Sequence, residues 1–140
     1  MTQNYQEVLE MQKEFIDPPE LGTPPNNIYH HVVKVGNTVY IAGQLSRDVN
    51  GKPIHVGNAE AQTIQAWANL EAAVKAAGGT LADIVKTNTY VVGRENMAGV
   101  RAGRAIAQPP EGRPTSTTVI VAGLADPELV VEVEAIAVIG

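Results

Sequence analysis

The chain has 140 residues, a formal net charge of −5 and no cysteine. That length is one domain's worth and can bury a core unaided, while the lack of cysteine excludes disulfides, thiolate metal sites and a cysteine nucleophile. The acidic balance, with one Phe and one Trp, argues against nucleic acid as a partner; no apolar run reaches membrane-span length, and the polar opening MTQNYQEVLEMQKEF is unlike a signal peptide, so a cytoplasmic location is expected.

Residues 2–16 read as a short amphipathic helix, with Tyr5, Val8, Leu9 and Phe15 at helical spacing. DPPELGTPPNN then breaks it with four prolines and a glycine. Residues 1–26 are therefore expected to be a helical arm with a Pro-rich linker, and 27–140 the main body. IYHHVVKVGNTVYIAGQL is a hairpin signal, with Gly36 and Asn37 at the tight turn. A loop with its own Asn-Gly turn leads to NAEAQTIQAWANLEAAVKAAGG. There, Ile64, Trp67, Leu70 and Val74 predict a helix, with Asn58 as N-cap and Gly78-Gly79 as its stop. A strand follows from Ile84 to Val92, then a glycine-weakened helix in RENMAGVRAGRAIA. TSTTVIVAGL is a β-branched strand, and LVVEVEAIAVIG closes the chain as another.

The order β-β-α-β-α-β-β implies one sheet with two helices packed on one face, an α+β fold. Its other face then lacks a cover, although Val33, Val35, Val39, Ile41, Val91, Val119, Val121, Val131 and Val133 supply apolar side chains to both sides. Association through the sheets would hide such a surface. Glu132 and Glu134 lie two apart in the last strand and so share a face. Carboxylates on an otherwise apolar face need partners, which a cleft between subunits can supply. A basic cluster is also conceivable around Arg94, Arg101, Arg104 and Arg113, against the plainer reading of a solvated helix face.

GNTVYIAGQLSRD, AAGGTLADIVKTNTYV and VEVEAIAV resemble the Rid (YjgF) family of reactive-intermediate deaminases, over about residues 29–138. The resemblance implies a chorismate-mutase-like fold and a homotrimer with a barrel-like core of three sheets. It implies a small-molecule substrate in the intersubunit clefts, hydrolysis of enamines or imines to a carbonyl compound and ammonia, and no metal or organic cofactor. Carried over by position, Tyr29 lines the cleft. Gly43 and Gln44 form the turn after the second strand, and Ala42 stands where active members have serine. Glu134 matches the acid that positions water, and Arg101 replaces a frequent asparagine. Ser116 stands where active members carry an arginine that grips the substrate carboxylate, and Thr118 replaces a cysteine. Serine cannot form that bidentate fork. Arg101, on the second helix, is the expected substitute, because Arg113 is three residues from Ser116 and points to the other side of a strand.

Imine hydrolysis needs attack by water and proton delivery to nitrogen, a task for a carboxyl whose pKa is raised in a partly apolar cleft. Glu134 is the candidate for it and Glu132 the neighbour, read as an ion-paired residue. The hydroxyls of Ser116, Thr117 and Thr118 form no nucleophile motif, and His30, His31 and His55 lack metal-ligand spacing. Two alternatives stand beside the deaminase: a non-catalytic trimer that binds a small metabolite, and a protein-interaction role for the arm.

Overall fold

A computed structural model describes residues 13–140. Six strands form one sheet in the order β1-β2-β3-β6-β4-β5. They are β1 Glu14–Ile16, β2 Val32–Val35, β3 Thr38–Gln44, β4 Ile84–Val92, β5 Thr115–Val121 and β6 Val131–Val138. Every pairing is antiparallel except that of β4 with β5. The parallel pair needs a crossover, which helix α2, Met97–Ala107, provides; helix α1, Ala59–Ala76, lies between β3 and β4 in the chain. The β-β-α-β-α-β-β order is thus present, preceded by one further short strand. No helix among the described residues is long and apolar enough to cross a membrane.

Local chemistry explains most boundaries. Gly36 takes φ 59° in the two-residue turn that pairs Val35 with Thr38. The Asn58 side chain caps α1 by accepting from the Ala61 N–H at 2.9 Å, and α1 stops just before Gly78, at φ 96°. Its buried stripe is Gln62, Thr63, Ala66, Trp67, Leu70, Ala73 and Val74. Ile64 stands off that stripe, one residue and therefore about 100° of helical rotation past Thr63. The Gln62 side chain is a staple: it accepts from Val130 N–H at 2.9 Å and donates to the Glu128 carbonyl at 3.0 Å.

The expected helix over 2–16 needs correction at its C-terminal end. Residues 1–12 lie outside the described part, but Glu14–Ile16 form a strand, with Phe15 opposite Val33. Asp17 precedes Pro18, and a residue before proline is pushed out of the helical region. Residues 13–26 pack on the body, with Ile16 and Leu21 against the core. The Asp17 carboxylate takes the His31 N–H at 2.8 Å and meets His30 Nδ1 at 2.6 Å.

Both helices lie on one face. Val39, Ile41, Val91, Val131, Val133, Ala135 and Ala137 of the sheet share a single buried core with Trp67, Leu70, Val74 and Val100 of the helices. The residues alternating with them in β6, Glu132, Glu134, Ile136 and Val138, face the other way. On that open face Tyr40 is 50% exposed and Val138 45%.

Candidate active site

Strand β3 carries a one-residue irregularity: Ile41 pairs with Ala135, but Gln44 with Val133. A bulge re-aims the chain locally, and here it lays Gly43 beside Glu132. A Cβ on Gly43 would stand 2.0 Å from a carboxylate oxygen of Glu132, so the acid occupies the space that any larger residue would fill. Burial holds the Glu132 carboxyl above its ordinary range; the neighbouring Glu134 charge adds to the rise and Arg47 opposes it. Tyr29, Gly43 and Arg47 line a small cleft. Burial raises the Tyr29 phenol, Arg47 pulls it back and the Glu132 charge adds to the rise. Arg47 is fixed by Asp126 at 2.7 Å, while its Nε–H is buried without a partner among the described residues.

Glu134 lies on the same open face in a different setting. One of its oxygens accepts from Asn88 Nδ2 at 2.9 Å and from Tyr90 Oη at 3.0 Å. The bond to Glu134 raises the Tyr90 phenol first, with burial and the two glutamate charges adding to it. Glu134, Ala42, His30, Tyr40, Lys86 and Asn88 border a cavity of about 330 Å³.

Ser116 and Thr118 are elsewhere. Register pairs Thr87 with Ser116 and Thr89 with Thr118, and both threonines of β4 are buried under the helices. Ser116 and Thr118 therefore belong to the helix face, opposite to Glu132 and Glu134. Arg101 is exposed on α2 and borders a cavity of about 350 Å³ together with Thr118 and Arg104. It is Arg104 whose guanidinium reaches Ser116, donating from Nη1 to Oγ at 2.7 Å. Within one chain the residues singled out from the sequence fall into three places: Tyr29 with Gly43, Ala42 with Glu134, and Arg101 with Ser116 and Thr118. Sequence reading passed over Arg47, placed Arg104 only in a basic cluster and gave Glu132 a pairing role. The signal for Glu132 was present in Gly43, since a glycine inside a strand marks close approach by another group.

A six-stranded α+β sheet with helices on one face and a paired-carboxylate open face defines the class of protein. The comparisons assign it: the family model described as endoribonuclease L-PSP matches residues 21–139, and the chain belongs to this family, also called YjgF or Rid. It is 33% identical over 128 residues to the 3-aminoacrylate deaminase RutC of Acinetobacter baylyi, covering 91% of this chain and 98% of that protein. It is 35% identical over 79 residues to a 2-iminobutanoate/2-iminopropanoate deaminase of Dermatophagoides farinae, a match spanning 56% of this chain and 61% of the mite protein's length. Among solved structures, RidA from an Antarctic Psychrobacter superposes with a TM-score of 0.75 at 35% identity, covering 85% of this chain and 94% of that one.

Proposed function

We propose that this protein hydrolyses a small imine or enamine to a carbonyl compound and ammonia, using Glu132 as the proton-handling group in a cleft between copies of the chain. The observation that carries this reading is the Glu132 carboxyl, packed over Gly43 and held above its ordinary range by burial. Such a group exists in both protonation states nearer neutrality than an ordinary carboxylate. The names of the mite and Acinetobacter relatives support the same chemistry.

The reaction uses both states. The carboxylic acid protonates the enamine carbon or the imine nitrogen and yields an iminium ion. The resulting carboxylate takes a proton from water as its oxygen attacks the C=N carbon, giving a carbinolamine. Returning that proton to nitrogen lets ammonia leave, and loss of the hydroxyl proton to the carboxylate forms the C=O bond and restores the acid. Glu134, tied to Asn88 and Tyr90, serves to raise the pKa of its neighbour. This exchanges the roles expected from the sequence. The acidic pair and the net charge weigh against an RNA substrate, the one named in the family's description.

Ser116, Thr118 and Arg101 lie on the face opposite to Glu132, so a small substrate that meets both sets sits between two copies. A homotrimer joined through the open faces covers Tyr40, Val119 and Val138, each exposed in the single chain. Equilibrium sedimentation at three times the chain mass would bear this out, and a monomer would remove the cleft.

The test is ammonia release from imines generated in situ by an amino-acid oxidase, with the purified chain in excess over background hydrolysis. Turnover above background supports the reading. Ligand binding without turnover, from any imine tried, replaces the deaminase with a metabolite-binding trimer. Gly43→Ala supplies a second measurement. The added methyl meets the end of a flexible side chain, so the melting temperature is expected to stay within a few degrees of wild type. The displaced Glu132 carboxyl is expected to lower turnover about 100-fold. Unchanged turnover in that variant would separate Glu132 from the chemistry.

A further inference from the structure

Arg47 is fixed in place through its backbone and its side chain. It lies just after β3, in a loop that closes on itself. The Ile54 N–H donates to the Ser46 carbonyl at 2.9 Å, the Ser46 hydroxyl donates to the Ile54 carbonyl at 2.6 Å, and Arg47 bridges to Pro53. Its guanidinium donates from Nη2 to the Asp126 carboxylate at 2.7 Å, and Asp126 belongs to the turn before β6. The pair thus ties together the loops that flank the β3–β6 pairing. It is not built for stability alone. Arginine grips a carboxylate most strongly through a two-armed fork. Here one arm is used, and the Nε–H is buried with no partner among the described residues. A buried donor left unpaired costs stability, so the position of this cation calls for another explanation.

The explanation lies across the cleft. Arg47 borders it together with Tyr29 and Gly43, and Gly43 is the residue over which Glu132 packs. Among the described residues the ion pairs are His30 with Asp17, Arg47 with Asp126 and Lys75 with Glu71. Glu132 is in none of them, so Arg47 acts on it through space and not as its partner. The other titratable groups around Glu132 are Glu134 on the same face of β6, Tyr90 opposite it on β4, and Tyr29. Of all these only Arg47 is positive. Burial and the Glu134 charge raise the Glu132 carboxyl, and Arg47 opposes them.

From this we infer that Arg47 is a positioning residue for imine hydrolysis: it supplies the one fixed positive charge facing Glu132, and Asp126 holds it short of a direct ion pair with that carboxyl. Both halves are needed. A carboxyl that gives and takes a proton within one cycle fails if it is raised too far to ionise, and fails equally if it is locked as an ion-paired carboxylate. Arg47 prevents the first and its tether to Asp126 the second. The inference rests on the deaminase reading for its purpose, but the effect on Glu132 is measurable without turnover.

The experiment follows the Glu132 carboxyl carbon of the full chain by NMR as pH is varied, its resonance identified by its loss in Glu132→Gln. Ammonia release from an imine is measured in parallel across pH. Arg47→Met is expected to move the Glu132 midpoint to higher pH, and the acid limb of the rate profile with it. At neutral pH its kcat should fall about tenfold, a fraction of what the whole acid–base group is worth, with KM within about threefold of wild type. Asp126→Asn frees the guanidinium and removes a negative charge, so its midpoint should move to lower pH. Shifts of opposite sign are not expected of two residues that only hold a loop together. Arg47→Lys keeps the charge and covers the case in which the methionine variant does not fold; its midpoint should stay near that of wild type. Midpoints unmoved in both Arg47→Met and Asp126→Asn overturn the inference. So does a raised KM with an unmoved midpoint, which would make Arg47 a substrate contact. Moved midpoints with no ammonia from any imine would remove the deaminase reading and leave the control of Glu132 by Arg47. Turnover with unmoved midpoints would do the reverse.

Discussion

Replacing Glu132 by Gln is expected to lower kcat for imine hydrolysis by about 100- to 1,000-fold, the usual worth of a positioned acid–base group. Glutamine keeps the shape of the side chain over Gly43 and removes only the exchangeable proton, so KM should change little. Glu134→Gln is the comparison. Its carboxylate accepts from Asn88 and Tyr90, and the amide oxygen of glutamine can accept from both, so less than about a tenfold loss is expected. The reverse order of the two effects would return the acid–base role to Glu134. A stability measurement adds an independent readout. The Glu132 carboxyl is raised in the folded state, by burial first. Between its unfolded and folded pKa the folded protein therefore binds more protons than the unfolded chain. Stability falls as pH rises through that window and stays lower above it. Glutamine does not ionise, so Glu132→Gln should melt higher than wild type at neutral pH. The difference should vanish once the pH is below the ordinary carboxylate range. A variant that gains stability while losing turnover is the signature of a group held in an unfavourable setting for function.

The parts of this structure that sequence reading reached are those decided within a few residues. The Gly36 turn, the Asn58 cap and the alternation of Val131, Val133, Ala135 and Ala137 with Glu132 and Glu134 are local, and each was legible from residue type and spacing. What was not legible depends on which strand meets which. Alternation places Ser116 and Thr118 on one face of β5, but only the pairing of Thr87 with Ser116 turns that face toward the helices. The bulge between Ile41 and Gln44 brings Gly43 to Glu132 across a strand pair distant in sequence. Strand β1 escaped for a related reason: three residues carry too little periodicity to be read, and their conformation comes from the free edge of β2. Arg104 was visible as a member of a basic cluster, and its contacts were not, because the hydroxyls that hold it come from β4 and β5.

Gly103→Leu is expected to destabilise the fold by at least about 3 kcal/mol, a large part of the roughly 5–15 kcal/mol that holds a domain together. The glycines that make α2 look weak as a helix are what lets it pack. Gly99 and Gly103 are four apart and share a face, and that face lies on the first turn of α1. A Cβ at 103 would stand 2.6 Å from the Glu60 carbonyl oxygen and 2.8 Å from Thr63 Cβ; one at 99 would stand 2.9 Å from Ala59 Cβ. Two effects oppose each other in Gly103→Ala. Helix propensity gains about 1 kcal/mol, while overpacking against a backbone oxygen costs about 1–3 kcal/mol, so a small net loss is expected. Leucine gains no more propensity than alanine and adds three carbons to the clash, which only lifting α2 off α1 can relieve. With a melting point shifting by roughly 3–5 °C per kcal/mol at this chain length, the leucine variant should melt more than about 10 °C below wild type. Ala102→Leu, at an exposed neighbouring position, should stay within about 0.5 kcal/mol. Lifting α2 also carries Arg104 away from Ser116. Melting of Gly103→Leu within a degree or two of wild type would show that α2 is free to shift, and with it that the position of Arg104 is not set by helix packing.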